Sequence, residues 1–386
     1  MRIALAILNA DPRRGGAERY TVDLARGLTR RGHQVSIVAT NFPVMFSDIT
    51  SVHLPANGMT RTGLYKNFLD LFDHHIHLAP YDIVHAMLPF RRCDVYHPHA
   101  GLAIEKMSAD QNRGIVQRTV SMLLNRVNPR RRAFAKVEQR LLARPRTHRP
   151  IVLCLSDYVK QSVKQYYPLD DEHLATLFNA VDLQKFDPAA RPTAGQELRD
   201  KYKLPANATV AVMIAQDFAR KGLAEALRAM AIAGAAGKHI KLLIVGSGDV
   251  TFYQRVAIRA GVGSQVIFAG HTDDVYAAYK AADFFVLPTK HDPCSLVVLE
   301  ALAMGVPVIS TKQNGATEIM EGGVHGYVLP SHRDIPALAQ AMQNLTDPAT
   351  RQSMSDACLA LRPRLSFETH LDELLAIYDR APGHWS

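Results

Sequence analysis

The sequence predicts an α/β protein with two Rossmann-like domains, and three observations predict it. At 386 residues the chain is too long for one hydrophobic core, and two domains of about 100–200 residues each are the natural division. Short apolar runs alternate with helical patterns from end to end, the signature of parallel sheets covered by helices. That alternation restarts near Ala208, after a turn-rich stretch from Phe178 to Pro192 that holds Asn179, Asp187 and Pro188. The expected domains are 1–180 and 181–362. Residues 363–386 form a C-terminal segment whose helical pattern, 368–378, lies beyond Pro363 and is open to packing on either domain.

The elements follow in order. Residues 3–8 read as the first strand, Gly15 and Gly16 as a tight loop, and 17–31 as a helix with Tyr20, Leu24 and Leu28 on one face. Gly32 ends that helix, and 34–40 is the second strand. Strands over 82–87, 94–97 and 151–155 continue the set. In the second series, 209–215, 240–245, 266–269, 284–287 and 307–311 read as strands, and 222–235, 275–282 and 296–304 as helices.

Composition narrows the class. Hydrophobic residues make up 47% and charged residues 21%, as in water-soluble globular proteins. No apolar run approaches the roughly 18 residues of a spanning helix, and 3–8 is too short for a signal-peptide core. Cys93, Cys154, Cys294 and Cys358 stand far apart without metal-ligand spacing and read as reduced, buried thiols, which points to the cytoplasm. The net charge of +9 is concentrated: residues 113–149 hold 11 Lys/Arg against one acid, Glu138. Within this basic insert Arg132, Lys136, Arg140 and Arg144 recur every four residues, with Phe134, Val137 and Leu141 on another face. The pattern predicts a basic amphipathic helix suited to an anionic membrane surface, or a solvated helix whose apolar face packs on the first domain.

Several residues can carry chemistry. Gly15 and Gly16 sit between a strand and a helix, where backbone amides can face a phosphate or simply form a turn. No acid ends the second strand, which speaks against a dinucleotide site. Arg220 and Lys221 lie at the carboxyl end of a strand, placed to neutralise a diphosphate or to stand as a solvated basic turn. Glu300 interrupts an apolar helix, so it pairs with a cation or accepts from ligand hydroxyls. Asp292 precedes it by eight positions in a loop. His97 and His99 flank Pro98 just after a strand, with Gly101 close by; both structural and ligand-facing roles are open. No metal-binding spacing such as HExxH occurs, and none is expected.

Taken together these elements resemble glycosyltransferase family 4, of the GT-B fold. The resemblance rests on Gly15 and Gly16 before the first helix, on Asn179, Ala180, Val181 and Asp182 with Phe186, on the turn from Asp217 to Gly222, and on Gly246, Ser247 and Gly248. It is densest from Asp292 through Pro293, Cys294, Ser295 and Leu296 to Glu300, similar to the family's EX7E motif, with Gly305, Pro307 and Val308 after it. Asp94, Val95 and Tyr96, followed by Glu105 and Lys106, the 217–222 turn and the basic insert bring the chain nearest the lipopolysaccharide core glucosyltransferases. Two departures stand out: the first acid of the motif is Asp292 rather than Glu, and Ala100 follows His99 where the family places Asp.

The resemblance implies two Rossmann-like domains facing each other across a cleft, and a retaining, metal-independent transfer of a hexose, with glucose from UDP-glucose as the first choice. No cofactor is implied. Gly15, Gly16, Arg220, Lys221, Asp292, Pro293, Cys294, Ser295, Leu296 and Glu300 would bind the donor, with His99, Arg220, Lys221 and Asp292 acting on the reacting groups. Glu300 would hold the ribose and His99 the sugar. The implied partners are a nucleotide-diphosphate sugar, a glycan or glycolipid acceptor and an anionic membrane surface, met through Arg130, Arg131, Arg132, Lys136, Arg140 and Arg144. The implied place is the cytoplasm, at the inner face of the membrane. The rival readings are a sugar-nucleotide epimerase of the same fold and a nucleic-acid binder using the basic block, which lacks any nucleic-acid motif and holds few aromatics beyond Phe134.

Overall fold

The computed structural model describes residues 1–43, 46–99, 101–105, 128–237, 239–272 and 274–381. Ala100, Lys106 and the 113–127 part of the basic insert lie outside them. The chain forms two compact units: Met1–Phe178 with the chain from His370 onward, and Asn179–Thr369.

In the first unit the described residues form a seven-stranded parallel sheet in the order β3-β2-β1-β4-β5-β6-β7. The strands are β1 (Arg2–Ala6), β2 (Gln34–Ala39), β3 (Thr50–His53), β4 (Ile83–Ala86), β5 (Val95–Tyr96), β6 (Ile151–Cys154) and β7 (Leu174–Thr176). β1 and β4 are buried almost throughout, as parallel strands covered on both faces must be. Helix α1 (Gly16–Arg30) buries Tyr20, Leu24 and Leu28 and gives way to Gly32 at φ +84°, the left-handed stop that glycine supplies. α2 (Arg61–Leu78) buries Tyr65, Phe68, Leu69, Phe72 and Ile76. α3 (Pro129–Leu142) and α4 (Asp157–Tyr166) follow.

The second unit has a six-stranded parallel sheet in the order β10-β9-β8-β11-β12-β13. Its strands are β8 (Thr209–Ala215), β9 (Ile240–Gly246), β10 (Val266–Gly270), β11 (Phe284–Leu287), β12 (Val308–Thr311) and β13 (Gly326–Leu329). Its helices are α5 (Ala194–Lys201), α6 (Leu223–Ala235), α7 (Val250–Arg259), α8 (Tyr276–Ala281), α9 (Leu296–Ala303), α10 (Ile335–Asn344) and α11 (Pro348–Ala360). The last helix, α12 (Phe367–Tyr378), runs from the end of this unit into the first, where it buries His370, Leu371, Leu374 and Tyr378.

Counted within each unit, both sheets have the strand order 3-2-1-4-5-6, and the first adds a seventh strand. The order reverses beside β1 and β4 in the first unit and beside β8 and β11 in the second. Open α/β sheets bind ligands outside the carboxyl ends of the strands at that point.

The basic insert departs from the expected four-residue stripe at its end, and its apolar face follows the packed one of the two readings. α3 ends at Leu142, with Pro145 shortly after it, so Arg144 is off the helix. The Arg144 carbonyl accepts from Nε and Nη2 of Arg149, at 3.1 and 3.0 Å. The apolar face is also occupied: Phe134 stacks on Tyr65 with centroids 4.1 Å apart, and Ala135, Leu141 and Leu142 are buried. Arg131, Arg132, Lys136 and Arg140 are exposed, while Arg130 is half-buried over the Phe134 ring at 5.4 Å. The helix therefore offers a basic face but no apolar face for insertion into lipid.

Candidate active site

In the second unit the sequence-predicted residues gather at the reversal of strand order. The loop after β8 carries Arg220 and Lys221; the loop after β11 carries Asp292. Lys221 Nζ donates to Asp292 Oδ2. Arg220 Nη1 stands 3.8 Å from the same oxygen and donates to the His291 carbonyl at 3.0 Å. Lys221 and Asp292 are only 8% and 7% exposed, so each charge needs the other, whereas Arg220 reaches solvent. Arg220 also leans on Asp217, 3.4 Å away.

Glycine makes the approach of these loops possible. Gly222, at φ +81°, lies so close to Pro288 that a Cβ would stand 2.1 Å from the Pro288 carbonyl oxygen. Any side chain there would part the two loops and separate Lys221 from Asp292. The Arg220 carbonyl accepts from the Lys290 amide at 2.9 Å and from the Thr289 hydroxyl at 3.2 Å, which ties the loops together.

The Asp292 loop is clamped from its other side. Asp292 N donates to the Gln313 carbonyl at 2.8 Å, and the Asp292 carbonyl accepts from Gly315 N at 3.0 Å. The fully buried Asn314 accepts from Ser295 N at 3.2 Å, and Asn179 Nδ2 donates to the Cys294 carbonyl at 2.8 Å. Cys294 is buried, and its thiol is pushed up by that burial, so its function here is carried by its backbone. Pro293 and Leu296 are half-buried at the rim. Glu300 lies one turn into α9, 8% exposed, where Oε2 accepts from the Tyr279 hydroxyl at 2.8 Å. A tyrosine on α8 thus takes one of its oxygens.

The helices that start at these loops begin open. α1 after Gly15, α6 after Gly222 and α9 after Ser295 have no side-chain cap among the described residues. α7, α10 and α11 are each capped by an aspartate, Asp249, Asp334 and Asp347, while α5 and α8 also lack a side-chain cap. Uncapped amides at a helix start favour an anion.

The first unit presents different chemistry at the same edge. Gly15 has an extended backbone, so its conformation does not demand glycine, and Gly16 opens α1. His99 is half-buried in the turn after β5, its amide donating to the His97 carbonyl at 2.7 Å, and Gly101 closes the turn at φ +81°. The Tyr20 ring lies 5.0 Å from that of His99 and 5.3 Å from that of His97. Behind them runs a buried network that the sequence reading did not assemble. His370 Nδ1 donates to the Phe178 carbonyl at 2.8 Å, which leaves Nε2 to accept from the Tyr20 hydroxyl 2.7 Å away. His85 joins Tyr378 at 2.7 Å and His97 at 3.2 Å. Burial holds His85 down to about 3, His370 down to about 4 and His97 well below the ordinary histidine range. These rings are neutral at physiological pH.

Among the described residues one group, Asp170, Glu172 and His173, brings three metal-capable atoms within 4.8 Å. It precedes β7, at the opposite edge of the sheet from His99, and Arg146 already holds its two acids at 2.6 and 2.9 Å.

Two parallel sheets of this order, with paired cations at a reversal point of the second, fit a glycosyltransferase of the GT-B class. The chain belongs to that group of enzymes: residues 14–185 match the model of Glycosyltransferase Family 4, and residues 208–347 that of Glycosyl transferases group 1. The lipopolysaccharide glucosyltransferase WaaG of Escherichia coli K12 is 23% identical over 302 residues, 77% of either chain. The crystal structure of WaaG, a glycosyltransferase involved in lipopolysaccharide biosynthesis, superposes with TM-score 0.78 over 97% of this chain and 98% of its own, at 20% identity. HepE of Anabaena, solved in complex with UDP, gives TM-score 0.72 at 16% identity, over 98% of this chain and 100% of its own.

Proposed function

We propose that the chain transfers a hexose, with glucose from UDP-glucose as first choice, to a glycolipid or lipopolysaccharide-core acceptor, with retention and without a divalent metal. The observation that carries this reading is the Lys221, Arg220 and Asp292 cluster at the reversal point of the second sheet. As the glycosidic bond breaks, the leaving diphosphate gains negative charge. Arg220, Lys221 and the open amides of α6 and α9 stabilise that charge where it develops, the task a metal ion performs elsewhere. Lys221 turns from Asp292 toward the phosphates, and Asp292 accepts from hydroxyls of the donor sugar. Glu300, oriented by Tyr279, accepts from the ribose hydroxyls. The first unit supplies His99 to the sugar and the amides of Gly15 and Gly16 to the donor phosphates.

The acceptor oxygen bonds to the anomeric carbon on the face the diphosphate leaves, through an oxocarbenium-like state. Its proton passes to the departing phosphate oxygen. The named activity of the E. coli relative and the UDP held by HepE support this choice of donor and acceptor. Incubation with labelled UDP-, GDP- and ADP-sugars, with and without a lipopolysaccharide-core acceptor, tests it. Labelled product with an α-linked hexose, formed only when acceptor is present, supports transfer; conversion of the donor alone would indicate an epimerase.

No helix among the described residues is long and apolar enough to cross a membrane. The exposed cations of α3 support peripheral, salt-sensitive attachment at the inner face of the cytoplasmic membrane, each worth about 1 kcal/mol at an anionic surface. Co-sedimentation with anionic vesicles that is lost in high salt, or in the Arg132→Gln, Lys136→Gln, Arg140→Gln triple variant, is the expected result. Binding unchanged by that triple substitution would overturn it.

A further inference from the structure

Glu138 is the one acid of the basic insert, and it lies on the inward face of α3 with no solvent exposure. A carboxylate in such a place is costly unless both oxygens are satisfied. Oε2 accepts from the Tyr96 hydroxyl at 2.5 Å and the Ala103 amide at 2.8 Å. Oε1 accepts from the Tyr167 hydroxyl at 2.8 Å and the Ile104 amide at 3.1 Å. One side chain therefore joins the end of β5, the end of α4 and the turn that follows His99 and the left-handed Gly101.

All four neighbours donate. The two hydroxyls can rotate, but the two backbone N–H groups cannot, and each carboxylate oxygen faces one of them. A glutamine in either amide orientation would aim its NH2 at one of those N–H groups. The position is built for an ionised carboxylate, and what it immobilises is the backbone beside His99.

We propose that Glu138 is a positioning residue for the transfer step, fixing the 101–104 turn and with it the place of His99 at the end of β5. The inference rests on the assignment of His99 to the transferred sugar. Glu138→Gln tests it with three readouts: amide hydrogen exchange, UDP affinity and the kinetics of transfer. Exchange at Ala103 and Ile104 should accelerate while β1 and β8 stay protected. UDP affinity should be unchanged, and kcat should fall several-fold, by no more than in His99→Ala, through which Glu138 acts. Tyr167→Phe, which removes one donor of four, should give a smaller fall. If Glu138→Gln does not fold, Tyr96→Phe takes its place in the same three measurements. Full kcat with accelerated exchange, or unchanged exchange, overturns the proposal. His99→Ala with undiminished turnover would instead remove the assignment on which it rests, while leaving the exchange result standing.

Discussion

The two units share a strand order and a ligand-binding edge, yet they furnish it with opposite chemistry. The second unit places Arg220, Lys221, Asp292 and Glu300 there, all charged groups. The first places Tyr20, His97 and His99 there, backed by His85, His370 and Tyr378, whose buried rings are kept neutral. The fold decides where a ligand sits; the side chains decide what it is. A charged edge suits a leaving diphosphate, and an edge of hydroxyl and imidazole groups suits sugar hydroxyls.

Breaking the charged edge should cost most. Arg220→Ala and Lys221→Ala are each expected to lower turnover on the order of 100-fold, measured at saturating donor. Lys221→Ala also strands the buried Asp292 carboxylate, so Asp292→Asn in the same background should restore stability but not turnover.

Glu300→Ala should weaken UDP binding by about tenfold or more, as loss of a charge-assisted hydrogen bond does. Its melting temperature should change less than its affinity. Unchanged affinity in calorimetry would detach Glu300 from the donor.

The histidine edge should respond differently to His97 and His99. His99→Ala should slow transfer several-fold while UDP affinity holds. His97, fully buried against His85, should act on stability instead: His97→Ala lowers the melting temperature with little change in KM. Equal small kinetic effects would make both structural.

A pH titration sharpens the contrast further. His85, His97 and His370 are neutral when folded, whereas free histidine titrates near 6.5. Between about pH 6.5 and 4 the unfolded chain binds more protons than the native one. The stability these rings contribute is complete above that window and is lost as pH falls through it. Thermal melts from pH 8 to 4 should show this fall, and His370→Gln should flatten it.

Much of this organisation was legible in the chain. The Asp292 to Glu300 spacing and the Asp217 to Gly222 turn mark the second edge, because short-range motifs survive in a one-dimensional record. The Lys221–Asp292 pair was not legible, since 71 residues separate its members. Nor was the Tyr20, His85, His97, His370 and Tyr378 network, which draws on widely separated segments including the last helix. Tyr279 on α8 and Asn314 after β12 carry no motif of their own. The α2 periodicity at Tyr65, Phe68, Leu69 and Phe72 was present in the sequence but fell in a stretch crowded with histidines. The end of the basic stripe at Arg144 was not legible either, because a four-residue recurrence continues past Leu142, where the helix stops ahead of Pro145.

On the proposed function, paired cations rather than a metal ion stabilise the departing diphosphate. The direct measurement is transfer of labelled glucose from UDP-glucose to a lipopolysaccharide-core acceptor in excess chelator, for the wild type and Lys221→Ala. The expected result is wild-type turnover untouched by the chelator and a fall on the order of 100-fold in the variant. Turnover that stops with chelator and returns with added divalent ion, together with an active Lys221→Ala enzyme, would contradict it.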